Sequence, residues 1–140
     1  MNLVTPEKKH QLENLARRVA WFMLYFAAAE FLFAKSFFAN HFKVAGGLSF
    51  IFALEKTAVA ITLYVLAKFI SKRVENIRLD LINYVFAALM LATSSVQIFV
   101  AMLLALAGYT AAAGIFTAGV FFTTILGMAL FITSILAMKD

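Results

Sequence analysis

The 140-residue sequence contains no cysteine, a single proline and six glycines. The absence of cysteine excludes disulfides, thiolate metal sites, iron–sulfur clusters and cysteine nucleophiles. Acidic residues are also scarce, with seven Asp and Glu against twelve Lys and Arg. Charged residues of both signs make up 14% of the chain, whereas about 25% is usual in soluble domains. The sequence therefore lacks the polar surface that a soluble protein of this size needs.

Hydrophobic residues make up 64% of the chain, against about 45–50% in soluble domains. They fall into runs longer than about 18 residues, the length that predicts helices crossing a bilayer. No linker or low-complexity tract divides the chain, so we expect one domain over residues 1–140. The predicted fold class is all-α, an integral membrane four-helix bundle made of two antiparallel transmembrane hairpins. The predicted spans are residues 19–40, 48–70, 81–107 and 111–137.

The stretch before the first span, residues 6–18, predicts a short amphipathic helix. Leu12, Leu15 and Ala16 share one side, and most of the charged residues lie elsewhere. Such a helix is expected to lie at the membrane interface and to run into the first span. It is either an ordinary lead-in to that span, or a docking surface or anchor for anionic lipid.

The distribution of basic residues predicts the orientation of the bundle. Nine of them lie before the first span, from the last turn of the second span to the start of the third, or after the fourth: Lys8, Lys9, Arg17, Arg18, Lys68, Lys72, Arg73, Arg78 and Lys139. The opposite side has only Lys43. By the positive-inside rule both termini are expected in the cytoplasm, in a bacterial inner membrane. The net charge of +5 is thereby explained without nucleic acid, because no base-stacking aromatics lie between these charges.

Short connections and small residues predict close helix packing. Gly46 and Gly47 suggest a tight turn before the second span. In the fourth span, small residues recur every four positions in two rows, which lets helix backbones approach each other. The first row is Gly119, Thr123 and Gly127, and the second is Gly114 and Ala118. These rows predict packing within the bundle or, alternatively, a self-association face.

Four charged residues fall inside the predicted spans and away from the span ends: Glu30, Lys35, Glu55 and Lys56. At 1.5 Å per residue they occupy one layer in the middle to outer half of the membrane. A charge at the bilayer centre costs about 2.5–3.5 kcal/mol on insertion scales, so pairing is expected. The simplest arrangement pairs Glu30 with Lys56 and Lys35 with Glu55. Because neighbouring residues point about 100° apart on a helix, one of the four charges is expected to face elsewhere.

Uncharged polar residues of the third and fourth spans fall at a similar height. They are Thr93, Ser94, Ser95, Gln97, Thr117, Thr123 and Thr124. Together with the four charges they predict an internal polar layer. Three interpretations remain open: ion pairs that fix helix register, a proton or ion site, or charges that pair with another subunit.

The sequence contains no catalytic constellation, so we expect a protein that is not an enzyme. His10 and His41 lie outside the spans, which leaves no pair of intramembrane haem ligands, and no cofactor or metal is expected. The leading hypothesis is a small structural or accessory subunit of a larger membrane complex, in contact with lipid and with other subunits or with itself. A second is a homo-oligomeric proton- or ion-coupled transporter or channel that uses Glu30 and Glu55. A third is an immunity or exclusion protein.

Overall fold

The computed structural model describes residues 6–74 and 77–139, which form four long helices. Helix α1 is Pro6–Ala39, α2 is Lys43–Arg73, α3 is Leu79–Leu106 and α4 is Thr110–Met138. All four are long and apolar enough to cross a membrane. The predicted all-α bundle of two antiparallel hairpins is confirmed, and we call α1–α2 the first hairpin and α3–α4 the second.

The stretch 6–18 is helical as predicted, but it is the beginning of α1 and not a separate helix. Leu12 and Ala16 are buried, and the side-chain amide of Asn83 donates a hydrogen bond to the carbonyl of Leu12 at 3.3 Å. The stretch therefore packs along the bundle. The physical reason is that its apolar residues continue the same buried stripe that Val19 and Met23 extend along α1.

Helix α2 contains a wider π-helical turn, Leu66–Ile70, before its last residues Ser71–Arg73. The ammonium of Lys9 donates to the carbonyl of Ser71 at 2.8 Å. This contact connects the end of α2 to the beginning of α1. Lys9, one of the basic residues predicted to lie on the cytoplasmic side, thus joins the two helices of the first hairpin at the end away from their turn.

Two apolar clusters form the core, one toward each end of the bundle. The cluster near the beginning of α1 includes Val19, Met23, Leu63, Met90 and Leu130, and the cluster near the two turns includes Phe37, Phe52, Ala101, Leu104 and Phe116. They leave a layer between them, where Glu30, Lys56, Gln97 and Thr123 are buried.

The chain reverses at two turns with the same backbone geometry. His41 and Gly108, 67 positions apart, both have positive φ, 66° and 95° respectively. The predicted turn at Gly46 and Gly47 is wrong, since both lie inside α2. Hydrogen bonds of one turn recur in the other: the amide of Phe42 donates to the carbonyl of Phe37 and that of Gly46 to Phe42, as Tyr109 donates to Leu104 and Ala113 to Tyr109.

The same offset relates the buried faces of the helices, so the second hairpin is a structural repeat of the first. Buried residues of α1 and their counterparts in α3 are Leu12 and Leu79, Ala16 and Asn83, Ala20 and Ala87, Met23 and Met90, Ala27 and Ser94, Glu30 and Gln97, Ala34 and Ala101, Phe37 and Leu104. Four of these eight pairs are identical, and in every pair the two residues have the same place in their helices.

Contacts between the hairpins obey the same relation. On one side of the bundle Phe26 of α1 stacks on Phe122 of α4, with ring centroids 5.1 Å apart. On the other side their counterparts, Thr93 of α3 and Glu55 of α2, are joined by a hydrogen bond of 2.9 Å. An approximate two-fold axis therefore runs parallel to the helices, between the two hairpins.

Candidate functional site

The central feature of the bundle is a buried ion pair between α1 and α2. Glu30 continues the inward-facing stripe of α1, and Lys56 lies on the inward face of α2. The Nζ atom of Lys56 is 2.6 Å from Oε1 of Glu30, and the lysine side chain is 0% exposed. These are the two residues that the sequence pairs by height. What the pair does in the protein stays a prediction.

Gln97 of α3 extends the ion pair to the second hairpin. Lys56 Nζ donates to Oε1 of Gln97 at 2.6 Å, and Nε2 of Gln97 donates to the carbonyl of Phe116 in α4 at 3.1 Å. The Lys56 ammonium also lies 5.5 Å from the centre of the Phe52 ring. The Lys56 ammonium thus contacts a carboxylate, an amide oxygen and an aromatic ring, which together replace the hydration shell that a lysine has in water.

Helix α4 contributes space to this site through Gly119. A Cβ atom at Gly119 would lie 2.7 Å from Nε2 of Gln97 and 3.3 Å from Oε1 of Glu30. The counterpart of Gly119 in the first hairpin is Phe52, a buried residue whose ring lies beside Lys56. We call Glu30, Lys56, Gln97 and Gly119 the central polar cluster. Each of the four helices contributes one of these residues.

Three buried oxygen atoms beside the central polar cluster have no hydrogen-bond partner among the described residues: Oε2 of Glu30, Oγ of Ser94 and Oγ1 of Thr123. The residues that carry them are at most 6% exposed. Thr123 is the counterpart of Lys56, as Glu30 is the counterpart of Gln97. The shorter threonine side chain thus stands where a lysine would complete a second, symmetric interaction.

The central polar cluster lies deep in the membrane-spanning part of the bundle. Glu30 is about 18 Å along α1 from Arg18 at about 1.5 Å per residue, close to the middle of a 30 Å hydrocarbon layer. Met23 and Leu63 belong to the apolar cluster on one side of it, and Phe37 and Phe116 to the cluster on the other. The ion pair is therefore enclosed by apolar side chains at both ends.

Glu55 lies at the surface groove between α2 and α3. Its Oε1 accepts a hydrogen bond of 2.9 Å from the Thr93 hydroxyl, while its Oε2 has no partner among the described residues. The residue is half-buried. Glu55 is thus the charge of the Glu55–Lys56 pair that turns away from the centre, as the 100° angle between neighbours requires.

The predicted pair of Lys35 with Glu55 is not formed within the described part of the chain. Lys35 is exposed and follows Phe31 by one helical turn, and Phe31 packs on Phe50 of α2 with ring centroids 5.5 Å apart. Lys35 is therefore near the α1–α2 groove, whereas Glu55 faces α3. Helix α2 separates the two charges.

The predicted supporting polar layer divides into inward and outward residues. Ser94, Gln97 and Thr123 are buried. Ser95 and Thr117 are exposed, and their hydroxyls donate to carbonyls of their own helices at 3.0 and 2.7 Å. Thr124 is half-buried. The reason is again the angle between neighbouring residues, since Ser94 and Ser95, or Thr123 and Thr124, cannot both face the core.

The two predicted packing rows of α4 also differ. Gly119, Thr123 and Gly127 face α3 and the centre, and a Cβ at Gly127 would be 3.2 Å from Cδ2 of Leu91. Gly114 and Ala118 are exposed, with open space at Gly114. The first row therefore packs within the bundle, and the second lies on the outer surface.

A second buried carboxylate, which the sequence analysis missed, lies at the beginning of α3. Asp80 is 1% exposed, and the guanidinium of Arg78 donates to its two oxygens at 3.0 and 2.8 Å. These hydrogen bonds raise the pKa of Arg78 above its usual value. The signal in the sequence is the Arg-x-Asp spacing at a helix start, where an acid is favourable.

The fold and the central polar cluster together define a class, a four-helix membrane protein built from two repeated hairpins around a central buried ion pair. Within residues 6–74 and 77–139 no three His, Asp or Glu side chains are grouped as a metal site would require. No protein-family model, no curated protein and no solved structure matches the chain. Its function is therefore inferred from its own residues.

Proposed function

We propose that this chain is a non-enzymatic subunit of a larger membrane assembly, which binds its partner through the intramembrane groove between α2 and α3. The observation that supports this most is the way the four intramembrane charges divide. Glu30 and Lys56 pair inside the chain at 2.6 Å. Glu55 and Lys35 lie at the surface of the bundle and have no ion-pair partner among the described residues.

A half-buried carboxylate in the membrane is unfavourable unless it is neutralised. Insertion scales give about 2.5–3.5 kcal/mol for a charge at the bilayer centre. Thr93 supplies one hydrogen bond to Glu55, and the covered Oε2 atom has no donor among the described residues. Because the residue as a whole is only half-buried, a basic side chain on a partner helix seated on the groove would neutralise the carboxylate, as polar residues do between transmembrane helices.

The central polar cluster has a supporting role in this proposal. Lys56 connects Glu30 of the first hairpin to Gln97 of the second, so it holds the two hairpins in one register. Buried pairs can fix register in this way. A fixed register keeps Glu55 and Thr93 aligned at the α2–α3 groove.

Affinity purification of the tagged full chain from native membranes, followed by identification of copurifying proteins, tests the proposal. We expect at least one integral membrane protein, or a second copy of this chain, to copurify with the wild type. Glu55→Lys should lower the recovered partner several-fold. The matched control is Thr62→Val, since Thr62 is an exposed residue of α2 whose hydroxyl donates only to its own helix. A stable monomer that copurifies with nothing would contradict the proposal.

A second candidate function is a proton- or ion-coupled transporter, favoured by Oε2 of Glu30 and Oγ1 of Thr123, which have no hydrogen-bond partner among the described residues. They lie near mid-membrane between two repeats of the same orientation, the place where many transporters bind their substrate. No described helix is interrupted at the depth of the central polar cluster, since the π-helical turn Leu66–Ile70 lies near the end of α2. This continuity and the two apolar clusters count against a conduction path. Flux of protons or monovalent cations into proteoliposomes, abolished by Glu30→Gln, would favour the transporter. Flux unchanged by both Glu30→Gln and Glu55→Gln would exclude a transporter that works through these two carboxylates.

A further inference from the structure

A cleft of about 620 Å³ opens between the beginning of α1 and the end of α4. We call it the terminal cleft. It is lined by Lys8, Gln11, Leu12, Leu15, Thr133, Leu136, Ala137 and Lys139. Neither the central polar cluster nor the α2–α3 groove contributes to it.

The lining of the terminal cleft is amphipathic. Lys8 and Lys139 contribute ammonium groups from the two helices, and the described lining residues include no acidic side chain. Leu12, Leu15 and Leu136 provide apolar surface between them. A ligand that fits this lining has an anionic group joined to hydrocarbon.

The position of the terminal cleft along the bundle corresponds to the lipid head groups. Leu15 and Leu12 precede Val19, where the apolar run of α1 begins, by about 6–10 Å at 1.5 Å per residue. Head groups and interface occupy a zone of that thickness beyond the hydrocarbon. Arg17 and Arg18 mark the same boundary, as basic residues do at the ends of membrane spans.

We propose that the terminal cleft binds an anionic phospholipid, with its phosphate between Lys8 and Lys139 and its first acyl carbons on Leu12, Leu15 and Leu136. Basic pockets between transmembrane helices are known to hold anionic head groups. The bound lipid would hold the beginning of α1 against the end of α4. No turn connects these two segments, whereas turns connect the end of α1 to α2 and the end of α3 to α4. This inference is independent of the proposed function.

The test is native mass spectrometry of the full-length protein in detergent with added phosphatidylglycerol or phosphatidylcholine of identical acyl chains. We expect the wild type to retain phosphatidylglycerol and not phosphatidylcholine. The double variant Lys8→Gln/Lys139→Gln should bind phosphatidylglycerol roughly 10- to 30-fold more weakly, from about 1 kcal/mol per basic residue. The matched control Lys35→Gln/Lys43→Gln removes the same charge near the other end of the bundle and should bind like the wild type.

A second variant tests the apolar half of the proposal without changing charge. Leu136→Trp should fill the terminal cleft and reduce phosphatidylglycerol binding, while inorganic phosphate at millimolar concentration should compete only weakly in the wild type. Equal losses in the two double variants, or equal retention of the two lipids, would overturn the proposal. Full displacement by inorganic phosphate would overturn it too, because the cleft would then be a site for a soluble anion.

Discussion

The first hairpin has Glu30 and Lys56 at positions where the second has Gln97 and Thr123, although the two hairpins share the same turns and the same buried faces. The two hairpins therefore have the same backbone arrangement but different polar side chains at these counterpart positions. The first hairpin supplies both charges, and the second supplies the amide that connects to them. One charged and one neutral repeat make a single ion pair on an approximate two-fold axis, where two charged repeats would crowd four charges into the same space.

Removing one partner of the ion pair should produce the largest difference in stability between counterpart substitutions in the two hairpins. Lys56→Met leaves the Glu30 carboxylate buried without a cation, and we expect a loss of about 3–5 kcal/mol in the free energy of unfolding. The counterpart change, Thr123→Val, should alter it by about 0.5 kcal/mol or less, because the Thr123 hydroxyl has no hydrogen-bond partner among residues 6–74 and 77–139. Thermal or denaturant unfolding in detergent, followed by circular dichroism, measures both. Equal effects would mean that the two hairpins are energetically equivalent at these positions.

Gly119→Ala tests the second difference, the glycine opposite Phe52. The new Cβ would lie 2.7 Å from Nε2 of Gln97, and Gln97 cannot swing away without losing its bonds to Lys56 and Phe116. We expect a loss of about 1–3 kcal/mol in the free energy of unfolding, as for other overpacked cores.

The matched control for Gly119→Ala is Gly114→Ala, where the added Cβ meets open space. Alanine is the better helix former by about 1 kcal/mol, so this change should leave the stability unchanged or raise it. The same unfolding experiment compares the two alanine variants. If Gly119→Ala proves as stable as Gly114→Ala, the close approach of α4 to Gln97 is not needed.

The two turns give the smallest expected difference. Gly108 has a φ of 95°, and Gly108→Ala should lower the free energy of unfolding by about 1–2 kcal/mol, since left-handed backbone is unfavourable for a residue with a Cβ. His41 already has that cost at φ 66°, so His41→Gly should change stability by about 1 kcal/mol or less. Unfolding midpoints of the two variants provide the measurement. A larger loss for His41→Gly would show that the histidine side chain has a role in its turn.

The sequence predicted the spans because long apolar runs need no tertiary information. Residues 81–107 and 111–137 correspond closely to α3 and α4, while α1 extends well before residue 19 because Leu12 and Ala16 continue its buried stripe. The turn before the second span was misplaced, since glycine alone does not reveal where the chain needs positive φ. His41 adopts that conformation without a glycine.

The candidate site was predictable in part. Heights along two antiparallel spans are enough to pair Glu30 with Lys56, since rise per residue is constant in a helix. Heights do not determine the direction of a side chain around its helix. The direction of each side chain separates Lys35 from Glu55 and places Ser95 and Thr117 on the outer surface. It also brings Glu55 within hydrogen-bond distance of Thr93.

By itself the sequence determined that the chain is a membrane bundle of two hairpins with two acidic and two basic residues within its spans, because hydropathy and charge are properties of each residue. Only the tertiary structure decided that the hairpins are repeats and that Gly119 makes room for Gln97 and Glu30. These features depend on contacts between residues far apart in the chain. The faces that four helices present to one another fix those contacts, and local patterns do not contain them.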